Sequence, residues 1–470
     1  MVRSDSFFKK IVITVLLVTV WPHIMQSHTH WSTNQRADPW PEYTSEDPND
    51  FLYTRQKNRL KGFEVVYDTD ECFSFALSPF GQNACNARGL TYDCTCDDDG
   101  IKTIPIGNVE NGPWGLVAML FGGIPEGKTL IPALETAREH LFPDQESGTI
   151  EEPDVLDPYQ VYGFVSFPIK YRKRGLRAEF LVQACDGFGF ALQAGFADIC
   201  QIVDPDLGCT QSEVCCSNGT DFTDGVKEYL ICQYQKIAEE LCINIRSFHD
   251  TGMEDVRLMG YWRHAYDVNR DRKGWAHLLV EPFLVLGGTV AVAKEKWQSK
   301  IFSVPFGNDG HHSIAAVAGL DFDFVETVSI GGEAGITHFF SHDFCNYRVP
   351  TSPYQTGIYP FTTAVSVSPG LNWHIGAKMS AYHFLDRLSM YFQYLFIQHR
   401  NDEIRLKTCD PAFLPWVQEQ RSCWQAQLFN AGFNYDISPN MAFGFLAQWP
   451  IRGKQTYSSS TILGTFTATF

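Results

Sequence analysis

The sequence predicts an all-β fold: an antiparallel transmembrane β-barrel of about 12–16 strands, with long external loops and an N-terminal mixed α/β segment. Three observations lead there. Side-chain character alternates with period two over most of the chain, the connections between alternating segments are by turns short and long, and the chain carries no long apolar helix. At 470 residues it holds 36 Phe, 19 Tyr, 11 Trp and 37 Gly. Aromatic and Gly richness of this kind is ordinary for β proteins and unusual for helical enzymes.

Residues 1–27 read as a secretory signal peptide. Arg3, Lys9 and Lys10 precede the apolar run Ile11–Trp21, and Pro22 ends it. Ser27 stands just before the expected cut, although Met25 occupies a place where a small residue is usual. The run is too short to span a bilayer, and nothing later supplies about 18 unbroken apolar residues. Fourteen cysteines agree with export to an oxidising compartment. They are Cys72, Cys85, Cys94, Cys96, Cys185, Cys200, Cys209, Cys215, Cys216, Cys232, Cys242, Cys345, Cys409 and Cys423. No C-x-x-C pair occurs, so the spacing favours disulfides over zinc and leaves the connectivity open.

Residues 28–157 open with an acidic, Pro-rich stretch. Strand-like GFEVVYD and CFSFALSPF follow, then a helix expected over 129–141 with Pro132 in its first turn. This segment is either a periplasmic or lumen-plugging piece or the first barrel hairpins, with the former slightly preferred. Within it, GGIPEGKT (122–129) satisfies G-x-x-x-x-G-K-[ST], the phosphate-cradling loop. That loop requires a parallel β-α-β sheet and a second acidic motif, and Asp321 is too far downstream and sits in an amphipathic dyad. Export also removes the chain from the ATP pool. The stretch therefore reads as a Gly/Pro turn leading into a helix.

Residues 158–470 carry the barrel pattern. In 370–384, Leu371, Trp373, Ile375, Ala377, Met379 and Ala381 oppose Asn372, His374, Gly376, Lys378, Ser380 and Tyr382. Ile314, Ala316, Ala318, Leu320, Phe322 and Phe324 oppose Gly319, Asp321 and Asp323. The same dyads recur at 428–437 and 441–451, and less cleanly at 187–197, 274–286, 328–340 and 388–399. Successive strand side chains face opposite ways, so each segment has one apolar and one polar face. A soluble sandwich or barrel hides the apolar face, and a membrane barrel shows it to lipid.

Loop lengths discriminate. Turns at 436–440, 384–388, 324–328 and 185–187 are tight, whereas 400–422, 341–369, 297–311 and 198–273 are long connections. Outer-membrane barrels keep short turns at one end and long loops at the other. The links 451–457 and 172–175 are shorter than that rule prefers. About twelve strands fit between 158 and 470, and 60–80 and 113–122 could add two or four.

The chain ends SSTILGTFTATF, with Phe470, Ala468, Phe466, Gly464 and Ile462 on one face. This resembles the terminal strand signal of Gram-negative outer-membrane proteins, in which a final Phe preceded by alternate apolar residues is read by the barrel-assembly machinery. The resemblance implies an outer-membrane location in contact with lipid, and an assembly role for Phe470, Phe466 and Ile462.

The polar face then supplies the expected pore lining: Asp321, Asp323, Glu333, Asn372, His374, Lys378, Tyr382, Asn430, Asn434 and Asp436. Acids outnumber bases there, which suggests weak cation preference. A closed interior that pairs with itself is the alternative. The function expected is porin-like passive diffusion of small hydrophilic solutes, with no cofactor and no metal. DVNRDRKG (267–274) begins like a calcium loop at Asp267, Asn269 and Asp271, but Arg272 replaces the turn Gly and Leu278 the bidentate Glu. His311-His312 reads as a solvated loop pair. No G-x-S-x-G or H-E-x-x-H occurs, so no enzyme is expected. Net charge −17 argues against nucleic acid.

The cysteine density is similar to that of the disulfide-rich major outer-membrane porins of chlamydia-like bacteria, although no specific Cys motif matches. That resemblance implies disulfides that stiffen the envelope, some of them between chains. The second reading is a barrel-anchored surface adhesin or scaffold, in which the Cys-rich connection 198–273 and its helical stretch VKEYLICQYQKIAEEL meet a partner.

Overall fold

The computed structural model describes residues 73–90, 101–104, 114–141, 164–165, 167–183, 187–203, 221–270, 276–297, 299–324, 328–385, 387–438 and 441–470. The expected signal peptide 1–27 lies outside these residues, as do Cys72, Cys94, Cys96, Cys185, Cys209, Cys215 and Cys216.

The strands are β1 (Phe73–Leu90), β2 (Ile101–Ile104), β3 (Trp114–Gly115), β4 (Phe164–Val165), β5 (Ile169–Gln183) and β6 (Phe188–Val203). There follow β7 (Phe248–Met253), β8 (Val256–Arg263), β9 (Tyr266–Arg270), β10 (Ala276–Val290), β11 (Ser313–Phe324), β12 (Val328–Phe339) and β13 (His342–Arg348). The last are β14 (Thr362–Ser368), β15 (Asn372–Leu385), β16 (Leu388–His399), β17 (Glu403–Leu406), β18 (Trp424–Ser438), β19 (Met441–Lys454) and β20 (Thr456–Thr469).

Twelve antiparallel positions close on themselves. Going round, they are β1, β5, β6, the interrupted strand β7–β8–β9, then β10, β11, β12, β15, β16, β18, β19 and β20, which returns to β1. The seam is tied at the chain end, where Phe470 N donates to Phe73 O at 2.9 Å and Phe73 N to Phe470 O at 3.4 Å. Closure pairs the first wall strand with the last, as a lipid environment demands.

The wall is inverted relative to a soluble barrel. On β11 the outward Ile314 and Phe322 are 51% and 40% exposed, whereas the inward Asp321 and Asp323 are buried. On β20 Ile462 and Phe466 face out, while Thr461, Thr465 and Thr467 are buried inside. Outward aromatics gather near the short turns: Phe73 lies 6.2 Å from Phe180 and 6.5 Å from Phe470, and Phe188 lies 6.4 Å from Trp262. Towards the other end Trp373 packs on Phe396 at 5.3 Å and Trp449 on Phe429 at 6.3 Å. An apolar band between aromatic girdles, round a polar interior, is the design of a membrane-spanning barrel.

Three expectations about boundaries change. The wall includes β1, inside the 28–157 segment, and β2 of the same segment pairs back on the end of β1 without entering the wall. The connection 198–273 is not one loop: it contains the end of β6, the helix Asp221–Glu240 and all of β7–β9. Likewise 172–175 is the middle of β5, not a link.

The long connections fold into a body over one end of the barrel. Helix α1 (Pro132–Leu141) and helix α2 (Asp221–Glu240) pack with Trp114, Leu116, Met119, Phe167, Phe302 and Phe306, and with the inward strand-end residues Ile169, Tyr171, Ile199 and Tyr457. Glu240 of α2 accepts the Ala133 N–H at 2.9 Å, so a carboxylate sits on an orphan donor at the positive end of α1. A second core (Phe344, Val349, Phe361, Val365, Val367, Ile404 and Phe413) belongs to the small sheet β13–β14–β17. Arg348 links the two cores by donating to Tyr359 O at 2.8 Å and to Leu241 O. Its burial lowers its pKa to about 10, which leaves it charged at neutral pH.

GGIPEGKT crosses this body as an irregular turn. Gly122 (φ +102°) lies so close to Thr351 that a Cβ would meet its carbonyl oxygen at 2.4 Å, and Lys128 N donates to Pro125 O at 3.0 Å. Lys128 and Thr129 are exposed, and α1 starts only at Pro132. A phosphate loop instead runs directly into its helix, so the N–H groups converge on the anion.

Candidate functional site: the barrel lumen

Inward positions are polar along most of the wall, and register sets them in rows. One row joins Glu281 to Asp321 and Asp321 to Gly331, which faces Lys378. Lys378 Nζ sits 3.2 Å from Asp321 Oδ2 and 4.5 Å above the Phe283 ring. Gly331 makes this row possible, because a Cβ there would come within 1.8 Å of Asp321 Oδ1. The row continues from Lys378 to Gln393 and Asn430, and Glu333 of the adjacent row on β12 reaches it diagonally. Gln393 donates to Glu333 at 3.4 Å, Asn430 donates to Gln393 at 2.6 Å, and His374 Nε2 is 4.0 Å from Glu333.

Eight of the ten expected lining residues thus have clear inward places. Asp321, Asp323, Glu333, His374, Asn430 and Asn434 are buried inside, Lys378 is held by Asp321, and Asn372 bonds His399 at the long-connection rim. Asp436 is half-buried beside the short turns, where its N–H donates to Arg387 O at 3.0 Å. Tyr382 lies on β15, and its side chain is outside the described residues.

The sequence reading missed a basic wall. Lys173 and Arg177 of β5 and Arg257 and Arg263 of β8 also point inward. Arg177 grips Glu254 with two bonds, Nε at 2.6 Å and Nη2 at 2.8 Å, and its guanidinium lies 4.3 Å over Phe80. Lys173 reaches the same carboxylate at 2.9 Å and the Phe306 carbonyl at 3.2 Å. The lining therefore holds more bases than Lys378 and His374 alone: Lys173 and Arg177 on β5, and Arg257 and Arg263 on β8, the strand that pairs with β10.

The loop 291–312 enters the mouth. Residues 301–309 are all buried, and Asp255 holds them there. Its Oδ1 accepts the N–H groups of Val292 and Ala293 at 2.9 Å each, and its Oδ2 that of Asn308 at 2.6 Å. Glu254 and Asp255 form the break between β7 and β8, so one irregularity in the wall supplies both the ion triad and the loop anchor. His311 is buried there with Nδ1 at 2.8 Å from Phe340 O, not solvated as its pairing with His312 suggested. The calcium-like DVNRDRKG places Asp267 and Asn269 in β9, paired with Leu279 and Leu278, which is strand geometry and not a ligand loop.

Among the described residues seven cysteines are present, and all are free thiols: Cys85, Cys200, Cys232, Cys242, Cys345, Cys409 and Cys423. The disulfides expected of these seven are not formed within the chain. Burial pushes the Cys423 thiol above its ordinary range. Among the described residues no group of His, Cys, Asp and Glu is arranged to hold a metal ion, and no helix is long and apolar enough to cross a membrane.

No protein-family model and no curated protein matches the sequence. Solved structures that align with it are outer-membrane barrels. An outer-membrane channel from Pseudomonas putida F1 aligns at 7% identity and TM-score 0.44, over 87% of this chain and 98% of that one. The toluene transporter TbuX of Ralstonia pickettii aligns at 11% identity and TM-score 0.32, over 86% and 90%. A FadL homologue of Pseudomonas aeruginosa aligns at 9% identity and TM-score 0.29, over 94% and 99%. The closed, inverted, twelve-stranded wall makes this chain a transmembrane β-barrel of the outer-membrane architecture.

Proposed function

We propose that the chain is an outer-membrane channel for passive diffusion of small hydrophilic solutes, closed at its mouth by the inserted loop 291–312. The observation that carries this reading is the lumen itself: charged and amide side chains line a wall whose outside is apolar. A barrel that served only as an anchor would have no need of inward Glu281, Asp321 and Asp323 beside inward Arg257 and Arg263. Export through the N-terminal signal and assembly through the C-terminal strand belong to the same proposal.

Asp255→Ala tests the gate. It removes three backbone-to-carboxylate bonds, each worth about 1.5–3 kcal/mol when the acceptor is charged. Liposome swelling with the variant is expected to run several-fold faster than with the wild type, and its planar-bilayer openings to be longer. Its reversal potential is expected to show weak cation preference, because inward Glu281, Asp321, Asp323 and Glu333 outnumber Lys378 and Arg263 below the loop. Swelling equal to the wild type, or clear anion selectivity, contradicts the proposal.

The folded body over the mouth favours one second reading, a surface module that meets a partner through α2 and carries exposed Cys232. In that case neither protein would swell liposomes, and binding would depend on α2.

A further inference from the structure

The outer face of β5 changes character along its length. From the short-turn end it presents Val182, Phe180 and Leu176, each more than 40% exposed to the space that lipid chains fill. It then presents Arg174, Arg172 and Lys170, all exposed. Alternate strand residues are about 6.6 Å apart, so three cations stand in line over about 13 Å. The inward bases of the same strand, Lys173 and Arg177, are both neutralised by Glu254. The outward three are not. Register sets Arg174 between Gly81 and Asp198, Arg172 between Asn83 and Cys200, and Lys170 beside Ile202. Asp198 is already engaged by His249, and among the described residues no carboxylate pairs with Lys170, Arg172 or Arg174.

This is an unbalanced cationic strip in a chain of net charge −17. It lies at the margin of the apolar band. The exposed, polar Asn83 of β1 and Ser460 of β20 stand in the row of Arg172, while exposed Ile462 still faces out in the row of Arg174 and exposed Ile202 beside Lys170. Headgroups lie at such a boundary, and bases near a membrane surface each favour an anionic lipid by about 1 kcal/mol. We infer that Lys170, Arg172 and Arg174 hold the anionic phosphate headgroup of a membrane lipid in the leaflet on the long-connection side. The acyl chains of that lipid run down the same face over Leu176 and Phe180. This continuity of charge and apolar surface on one strand is what selects a lipid over free phosphate. The inference rests on the transmembrane reading of the wall and is independent of conduction.

The test titrates phosphatidic acid into the full chain held in detergent and counts bound lipid by native mass spectrometry, with phosphatidylcholine as the uncharged comparison. The wild type is expected to retain phosphatidic acid and not phosphatidylcholine. The variant Lys170→Gln/Arg172→Gln/Arg174→Gln is expected to bind it about a hundredfold more weakly. The charge-keeping variant Lys170→Arg/Arg172→Lys/Arg174→Lys is expected to bind like the wild type. Equal affinity of the wild type and the Gln variant overturns the inference. So does displacement of the lipid by inorganic phosphate at the lipid's own concentration, which marks a free-phosphate site. Heat-modifiable gel migration of each variant reports the barrel separately, so failure of the wall and failure of lipid binding appear in different measurements.

Discussion

Glu254→Ala is expected to destabilise the folded barrel by about 3–5 kcal/mol, because it strands two buried cations. Lys173 and Arg177 are almost wholly enclosed, and both address this one carboxylate. A buried pair contributes little against an apolar replacement of both sides, but removing one partner leaves the other desolvated and unpaired. The companion variant Lys173→Met/Arg177→Met/Glu254→Met removes all three charges and is expected to recover most of the loss. Denaturant unfolding of the refolded barrel, followed by gel migration and tryptophan fluorescence, measures both. A loss below about 1 kcal/mol in Glu254→Ala would mean that water reaches the triad, as it does an exposed ion pair.

Deleting Phe470 is expected to give the second large effect, and it acts on assembly. The terminal residue is 69% exposed on the lipid side and its backbone closes the seam with Phe73. Ile462 and Phe466 continue the same outward face, at 54% and 38% exposure. Removing Phe470 takes away two seam hydrogen bonds, the contact with the Phe73 ring and the end of that apolar face. The fraction of chain recovered in the outer membrane is expected to fall several-fold, with the remainder trapped as unfolded precursor. Phe470→Tyr keeps the ring and the backbone and is expected to insert normally. Wild-type recovery of the truncated chain would remove the terminal strand from any part in assembly.

What could be read in the sequence followed from period two. The segment 313–324 alternates without interruption, so its inward Asp321 and Asp323 were visible as one face of a strand. The basic wall was hidden because its strand breaks step. On β7 the outward residues are odd-numbered (His249, Thr251, Met253), and on β8 they are even-numbered (Leu258, Gly260, Trp262). The slip at Glu254–Asp255 swaps the faces, as any one-residue insertion does. A window spanning the slip averages polar and apolar positions to nothing, and β7–β9 therefore read as loop. Arg257 and Arg263 went with them. Lys173 and Arg177 were hidden differently: β5 is basic on both faces at YRKR, so alternation gave no inward set. The sheet β13–β14–β17 joins segments from two separate connections. Pairing of that kind is decided by tertiary packing and leaves no local period to read.

The charged lining of the lumen and the gate at Asp255 both presuppose a closed barrel with its apolar face outward. Heat-modifiable migration tests that most directly. Purified full-length chain in mild detergent is expected to run as a compact, faster band before boiling, and to move to the position of its full 53.2 kDa after it. A single band at the same position with and without boiling would contradict a closed membrane wall.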